Sequence, residues 1–238
     1  MIETKHLSVA YDDENVLEDI SVKIDEPAII GLIGPNGAGK STFLKALMQL
    51  IDYSGVIHIN GKQNQTLKHE VAYVEQRSQI DMNFPITVKE CVALGTYAKL
   101  GLFKGPKKKE YEKVKKVLQK VGLEGFESRP IKALSGGQFQ RMLVARCLIQ
   151  EASLIFLDEP FVGIDSVSES IIMSLLKELK KEGKTILIVH HDLNKVEDYF
   201  DKIMLLNKTL IAYGPVETIF TKHQLEKAYG RHRLIERD

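Results

Sequence analysis

Three observations predict an α/β fold, in which a parallel sheet is flanked by helices and a helical segment is inserted. Residues 28–33 form an apolar run that leads through a glycine-rich loop into a helix. Later in the chain, an apolar strand at 154–157 is followed by a helix at 166–181 and a strand at 185–189. Between these two parts, residues 87–149 have a mainly helical pattern. Helices that alternate with apolar strands are typical of a parallel sheet.

The first and last segments complete this arrangement. Apolar residues alternate over 7–11 and over 20–24, which predicts two strands, and residues 56–59 predict a third strand that enters an Asn-Gly turn at 60–61. After residue 215 the pattern favours one or two short helices with a charged end. The expected segments are 1–84, the first part of an α/β core; 85–150, an inserted helical subdomain; and 151–238, the second part of the core with C-terminal helices.

Composition narrows the class of protein. The chain has 238 residues, 44% of them hydrophobic, which is enough to bury a sizeable core, and its net charge of +1 gives no reason to expect nucleic-acid binding. Cys91 and Cys147 have apolar neighbours and form no CxxC pair, so we expect reduced packing residues of a cytosolic protein. No apolar stretch approaches the roughly 18 residues that span a bilayer, and no signal-peptide pattern is present. Any membrane-spanning segment is therefore expected from another chain.

The glycine-rich loop matches the phosphate-binding pattern GxxxxGK[ST] in full. It comprises Gly34, Pro35, Asn36, Gly37, Ala38, Gly39, Lys40, Ser41 and Thr42, and it lies between a predicted strand and a predicted helix. In such a loop the backbone N–H groups surround phosphate oxygens, and the helix N-terminus favours negative charge. We expect Lys40 to reach the β- and γ-phosphates of a nucleotide and Ser41 to ligate Mg²⁺.

A second motif ends the apolar strand at 154–157 with two carboxylates, Asp158 and Glu159. Beside a phosphate-binding loop, Asp158 is expected to hold Mg²⁺, usually through water, and Glu159 to act on the attacking water. A positioned general base contributes about 10²–10⁴ in rate. In isolation, the same pattern would fit a strand that ends in solvated acids.

The third motif, LSGGQ, occupies residues 134–138 at the start of an apolar-periodic helix. Ser135 and Gln138 fit a capping box, which stabilises a helix by about 1 kcal/mol. Gly136 and Gly137 are poor helix formers, so capping does not account for them. Glycines at this position would permit close backbone approach to a ligand. A cap and a ligand site are compatible interpretations, because one serine hydroxyl can do either.

In this order and at these spacings, the segments GPNGAGKST, LSGGQ and LIFLDEP resemble the nucleotide-binding ATPase of ABC transporters over nearly the whole chain. The resemblance implies a P-loop NTPase core with an N-terminal antiparallel β subdomain and an inserted helical subdomain. It also implies ATP and Mg²⁺ as cofactors, and a homodimer of ATPase subunits paired head to tail. Each ATP would then lie between the P-loop of one subunit and the LSGGQ motif of the other.

Four further positions match the family residue by residue. The resemblance implies that Tyr11 stacks on adenine and that Gln76 ligates Mg²⁺ and senses the attacking water. It also implies that Asp165 lies in a loop crossing the dimer interface and that His191 contacts the γ-phosphate. A surface tyrosine and a helix N-cap acid remain alternatives for Tyr11 and Asp165. Two adjacent histidines could suggest a metal site, but neighbouring strand side chains point to opposite faces, so we expect His190 to be structural.

The sequence around these residues resembles that of the metal-ion uptake branch of the family, whose members import manganese, zinc or iron. The segments concerned are Gln76-Arg77, 80–88 (IDMNFPITV), 160–165 (PFVGID) and 189–193 (VHHDL). This branch implies uptake of a transition-metal ion, with manganese favoured over zinc or iron. It also implies integral-membrane permease subunits and, indirectly, an extracellular or periplasmic metal-binding protein. The ATPase would then act at the cytoplasmic face of the cell membrane.

Other interpretations stay open at this point. A soluble ABC ATPase of iron–sulfur cluster assembly, or another ABC transport system, would carry the same motifs. The heptad arms of DNA-maintenance relatives are absent from the sequence. A non-catalytic binding module is disfavoured by the intact Lys40, Asp158, Glu159 and His191. The basic run at 104–116 is expected to be a solvated helix face, with a weak interaction with anionic lipid as the alternative.

Overall fold

The computed structural model describes residues 1–12, 14–63, 70–76, 81–100 and 104–230. Arg77 and Ile80, which contribute to the resemblance to metal-uptake proteins, lie outside these residues, as does the charged end of the tail. The chain divides into two compact units, Met1–Leu67 with Thr185–Asp238, and Lys68–Lys184. The three segments expected from the sequence follow different boundaries, and that division stays a prediction.

The first unit is built on an antiparallel sheet and a largely parallel one. Its strands are Ile2–Tyr11 (β1), Glu14–Ile24 (β2), Ile29–Ile33 (β3), Ser54–Ile59 (β4), Lys62–Gln63 (β5), Thr185–Val189 (β8), Lys202–Asn207 (β9) and Thr209–Pro215 (β10), numbered along the whole chain. Its α-helices are Lys40–Leu47 (α1), Val196–Tyr199 (α7), Val216–Ile219 (α8) and Lys222–Tyr229 (α9). The strands predicted near the N-terminus, the strand at 185–189 and the short helices of the tail are confirmed.

Strand pairing separates the two sheets of this unit. In the antiparallel sheet, β1 pairs with β2 and β4, and β4 pairs with β5. In the other sheet, β8 and β9 pair in parallel with β3, and β10 is antiparallel to β9. All five residues of β3 are buried, as expected of a strand that lies between two neighbours in a parallel sheet. Asn60 and Gly61 have φ angles of 51° and 75°, which suits a two-residue hairpin turn.

The second unit combines a parallel strand pair with most of the helices predicted for the middle of the chain. Its strands are Val71–Val74 (β6) and Leu154–Asp158 (β7). Its α-helices are Val88–Ala93 (α2), Tyr97–Leu100 (α3), Lys108–Lys120 (α4), Gly136–Leu148 (α5) and Ser166–Lys181 (α6). The predicted helix at 166–181 is confirmed at both ends, and the strand predicted at 154–157 extends by one residue, to Asp158.

Helix α5 supplies much of the apolar packing in this unit. Phe139, Met142 and Leu143 are fully buried, and the helix contacts α2, α4 and α6. A polar contact also joins α5 to the end of α4. Arg141 Nη1 donates to the carbonyls of Val121 (2.9 Å) and Gly122 (3.1 Å), so it satisfies backbone acceptors at the C-terminus of α4.

Lys113, within the basic run at 104–116, forms an ion pair with the rest of the unit. Glu151, which follows α5 with a φ of 57°, accepts hydrogen bonds from Lys99 Nζ (2.6 Å) and Lys113 Nζ (3.0 Å). These hydrogen bonds lower the pKa of Glu151 to about 2. The other lysines of the central part of α4 are exposed, as expected of a solvated helix face.

The structure also bears on membrane-spanning segments and on the two cysteines. No helix in the described ranges is long and apolar enough to cross a membrane. Cys91 and Cys147 are both free and buried. Burial raises the pKa of Cys147 to about 12 and raises that of Cys91 above its usual range, so both thiols pack as protonated groups.

Candidate functional site

The phosphate-binding loop joins β3 to α1 in the first unit. Gly39 is the N-cap of α1 and has a φ of 88°, a left-handed conformation that favours glycine. An added Cβ at Gly39 would also lie 2.3 Å from Leu17 Cδ2. Lys40 is only 7% exposed, and its Nζ donates hydrogen bonds of 2.8 Å to the carbonyls of Gly34 and Pro35. The loop therefore holds a buried ammonium at a helix N-terminus, and both features attract phosphate oxygens.

The remaining residues of the loop differ in exposure. Asn36 and Gly37 are exposed, and Ala38 is buried. Ser41 and Thr42 are partly buried in the first turn of α1. The loop thus presents polar backbone at its tip while its base is fixed by packing.

The two carboxylates of the LIFLDEP segment lie at the end of β7 in the second unit, and their surroundings differ. Asp158 is 4% exposed, and its Oδ2 accepts a hydrogen bond from the Tyr73 hydroxyl at 3.4 Å. Glu159 is less buried, and its Oε2 accepts a hydrogen bond from Gln76 Nε2 at 2.7 Å. Burial and the adjacent Asp158 carboxylate raise the pKa of Tyr73 well above its usual range, so its hydroxyl keeps its proton and can donate.

The LSGGQ motif forms the start of α5, and its serine caps the helix. Ser135 Oγ accepts a hydrogen bond from the Gln138 N–H at 3.3 Å, and Gln138 Oε1 accepts one from the Ser135 N–H at 3.0 Å. This is the reciprocal capping box that the sequence predicts. Ser135 itself is exposed, so its hydroxyl lies at the surface of the unit while it serves the cap.

Gly137 is required by a neighbouring helix of the same chain. A Cβ at this position would lie 2.2 Å from Ser168 Oγ and 2.5 Å from Asp165 Oδ2. Gly137 therefore allows α5 to approach the N-terminus of α6, and the expected approach to a ligand stays a prediction. The physical reason is local, since only a residue without a side chain lets the two helix starts meet.

Asp165 is the N-cap of α6. Its Oδ1 accepts from the Ser168 N–H at 2.8 Å, and its Oδ2 accepts from the Ser168 hydroxyl at 2.8 Å. Both hydrogen bonds lower the pKa of Asp165, and the one from the Ser168 backbone has the larger effect. The capping role considered from the sequence is thus present, and it leaves the side chain next to Gly137 of the LSGGQ motif.

Tyr11 and His191 lie in the first unit. Tyr11 ends β1 and is 45% exposed, which leaves its ring accessible to a ligand. His191 is exposed shortly after β8. The adjacent His190 is 3% exposed and packs edge-on against Phe200, with ring centroids 5.4 Å apart, in agreement with its predicted structural role.

Sequence reasoning missed two residues of this region, Tyr73 and Ser168. Tyr73 occurs in an apolar run, where it looks like any strand aromatic, and its relation to Asp158 depends on the pairing of β6 with β7. Ser168 could have been found, because a serine three residues after Asp165 fits a capped helix start.

The residues present fit a magnesium nucleotide. The loop offers a buried ammonium and helix N-terminal N–H groups to phosphate oxygens. The predicted Mg²⁺ ligands Ser41, Gln76 and Asp158 supply hydroxyl, amide and carboxylate oxygens, the hard donors that Mg²⁺ prefers. Within the described ranges, no group of three or more His, Cys, Asp or Glu could hold a metal ion.

Comparison with known proteins places these features in context. A family model described as ABC transporter matches residues 17–162. The chain is 47% identical over 238 residues to the manganese transport system ATP-binding protein MntB of Bacillus subtilis strain 168, covering 100% of this chain and 95% of the relative. It is 46% identical over 230 residues to the zinc transport system ATP-binding protein TroB of Treponema pallidum strain Nichols, covering 96% of this chain and 86% of the relative. A solved dimeric bacterial ABC transporter cassette superimposes with a TM-score of 0.79 at 26% identity, over 91% of this chain and 99% of that one.

The first prediction concerns the packing of Gly137. Gly137→Ala should lower the free energy of unfolding by about 1–2 kcal/mol, because the close contacts of the added Cβ place the cost in the upper part of the usual overpacking range of about 1–3 kcal/mol, and the roughly 1 kcal/mol that alanine gains in a helix offsets only part of it. Urea denaturation measures the change. The control is Gly105→Ala, because an added Cβ there meets nothing within 4 Å. Equal stability of the two variants would contradict the close approach of α5 to α6.

The second prediction separates the two carboxylates. Glu159→Gln should keep ATP binding and lower the hydrolysis rate by about 10²–10⁴, because a positioned base is lost. Asp158→Asn should instead raise the Mg²⁺ concentration needed for half-maximal binding of the magnesium nucleotide. Phosphate release and calorimetric binding measure the two effects. Hydrolysis by Glu159→Gln at the wild-type rate would mean that another group is the base.

Proposed function

The chain belongs to the ABC transporter family of ATP-binding proteins, and from this premise we propose that it powers the uptake of a transition-metal ion, with manganese ahead of zinc or iron. The chain is an ATP-binding subunit of this family. ATP hydrolysis coupled to transport is the family's general function. The observation that carries the choice of substrate is the 47% identity to MntB over the full length of the chain. The 46% identity to TroB supports zinc as the second candidate.

The surroundings of the individual residues support the following roles. Lys40, held at the start of α1, binds the phosphates of ATP, and Tyr11 offers an exposed ring to adenine. Asp158, Ser41 and Gln76 would be the residues that supply oxygen ligands to Mg²⁺. A bound Mg²⁺ would supply positive charge that neutralises the negative charge of the phosphates.

Glu159 and His191 act on the hydrolysis step. Glu159, the less buried of the two adjacent carboxylates, accepts the proton of the attacking water. In the described structure it accepts a hydrogen bond from Gln76, so this amide must share or release the carboxylate when water is activated. His191, exposed shortly after β8, contacts the γ-phosphate.

The proposed partners are a second copy of this chain and integral-membrane permease subunits. The dimeric solved cassette supports pairing of two ATPase subunits, and the names of the relatives support a transport system of several chains. We place the ATPase at the cytoplasmic face of the cell membrane, with an extracellular or periplasmic metal-binding protein acting on the other side. Ser135 and its neighbours in LSGGQ, with Asp165, contribute to the ATP bound by the partner subunit's P-loop.

The third prediction tests the substrate. A host that lacks this gene should accumulate less manganese, because permease subunits without their ATPase cannot drive uptake. Cellular metal content by mass spectrometry measures the effect, in cells complemented with wild type or with Glu159→Gln. Wild type should restore manganese and the variant should not. Normal manganese, zinc and iron together with a defect in another nutrient would refute metal uptake while leaving the ATPase assignment intact.

The fourth prediction tests the role of LSGGQ. Ser135→Arg should leave ATP binding by an isolated monomer unchanged and should block the ATP-dependent dimer, because the bulky side chain obstructs the partner subunit's nucleotide. Ser135→Ala is the matched control, since it removes the helix cap, which contributes about 1 kcal/mol, without adding bulk. Sedimentation with ATP measures dimerisation, with Glu159→Gln in every chain to prevent turnover.

Mixing Ser135→Arg chains with Lys40→Ala chains sharpens this test. In a mixed dimer, one site combines an intact P-loop with an intact LSGGQ motif, and both damaged motifs meet in the other. Partial recovery of the ATP-dependent dimer is therefore expected. If Ser135→Arg abolished ATP binding by the monomer while circular dichroism showed an intact fold, the serine would act in its own subunit and head-to-tail pairing would be wrong.

A further inference from the structure

The register of β6 and β7 relates Tyr73 directly to Asp158. In this parallel pair Tyr73 lies opposite Phe156, and Asp158 follows Phe156 by two residues. Because side chains alternate along a strand, Phe156 and Asp158 point to the same face of the pair, and so does Tyr73. The tyrosine ring reaches along the strand, and its hydroxyl lies 3.4 Å from Asp158 Oδ2.

The residues that follow the two strands form a second contact. Val74 lies opposite Leu157, and two residues further along the chain from each are Gln76 and Glu159, which form a hydrogen bond of 2.7 Å. The strand β6 and the residues after it thus supply one hydrogen-bond donor to each of the two adjacent carboxylates. A phenol serves the buried Asp158, and an amide serves the more accessible Glu159.

We propose that Tyr73 is a positioning residue for the magnesium site, since its hydroxyl holds the Asp158 carboxylate in the orientation that binds Mg²⁺. The proposal rests on the proposed role of Asp158 as a Mg²⁺ ligand. A carboxylate that is free to rotate must lose that freedom when it binds a cation, whereas a hydrogen bond from a strand-anchored phenol imposes the orientation in advance. Partners of this kind outside the ligand set orient metal-binding carboxylates, and their loss lowers metal affinity.

The experiment compares Tyr73→Phe, which removes only the hydroxyl, with wild type. All chains carry Glu159→Gln, so that nucleotide binding is measured without turnover. We expect the Mg²⁺ concentration for half-maximal Mg·ATP binding to rise about 3- to 10-fold, less than the ~10–100-fold loss common for such partners, because 3.4 Å is a long hydrogen bond. Binding of ATP in the presence of EDTA should be unchanged, because phosphate binding by Lys40 does not involve Tyr73. A purely structural role would alter both measurements or neither.

Tyr111→Phe is the matched control, because it removes an exposed tyrosine hydroxyl from α4 in the same unit. It should leave the Mg²⁺ dependence unchanged. The double variant Tyr73→Phe/Asp158→Asn should be no weaker in Mg²⁺ binding than Asp158→Asn alone, because both changes act on one carboxylate.

Two results separate failure of this proposal from failure of the proposed function. If Asp158→Asn weakens Mg²⁺ binding but Tyr73→Phe leaves it unchanged, or if the two effects add, the positioning role of Tyr73 is overturned and the Mg²⁺ site stands. If Asp158→Asn has no effect on Mg²⁺ binding, Asp158 is not the Mg²⁺ ligand, and the proposal fails together with that assignment.

Discussion

The parallel pairing of β6 with β7 is the constraint on which the chemistry of the second unit depends. Asp158 and Glu159 are adjacent in the chain, and in an unstructured segment they would have similar surroundings. The pairing gives them different ones, because it brings Tyr73 to Asp158 and Gln76 to Glu159. One carboxylate is held in the interior beside a phenol, and the other stays accessible beside an amide. Two acids that are consecutive in the sequence can therefore have different functions.

A similar local constraint governs the LSGGQ segment. The serine and glutamine satisfy the free backbone groups at the start of α5, while Gly137 lets the capped N-terminus of α6 approach. The motif is thus held by its own chain before any partner is considered. This arrangement suits the role that we propose for LSGGQ, because a preformed surface loses less conformational freedom on binding.

Much of this could be predicted from the sequence, and the reasons are physical. The P-loop, the strand ending in Asp158 and the capping box are short-range patterns, in which neighbouring residues determine one another's geometry. The helix at 166–181 could be predicted at both ends because both signals are local: Asp165 caps its start, and Gly183, with a φ of 86°, follows its end. The partners of Asp158 and Gly137 could not be predicted, because Tyr73 and Ser168 come near them only through pairing and packing of segments distant in sequence. The sequence therefore predicts approach to a ligand at this glycine, while its packing against α6 becomes visible only in the structure.

The backbone at Glu159 links the strand pair to the proposed chemistry. This residue has a φ of 51°, a left-handed conformation that costs a non-glycine residue about 1–3 kcal/mol and persists only where the surroundings impose it. The surroundings here are the buried end of β7 on one side and the hydrogen bond from Gln76 on the other. The turn ends the strand directly after Asp158, so that Asp158 keeps the orientation of the sheet while Glu159 leaves it. A glycine would adopt this conformation without strain, but it would not supply the carboxylate that we propose as the base.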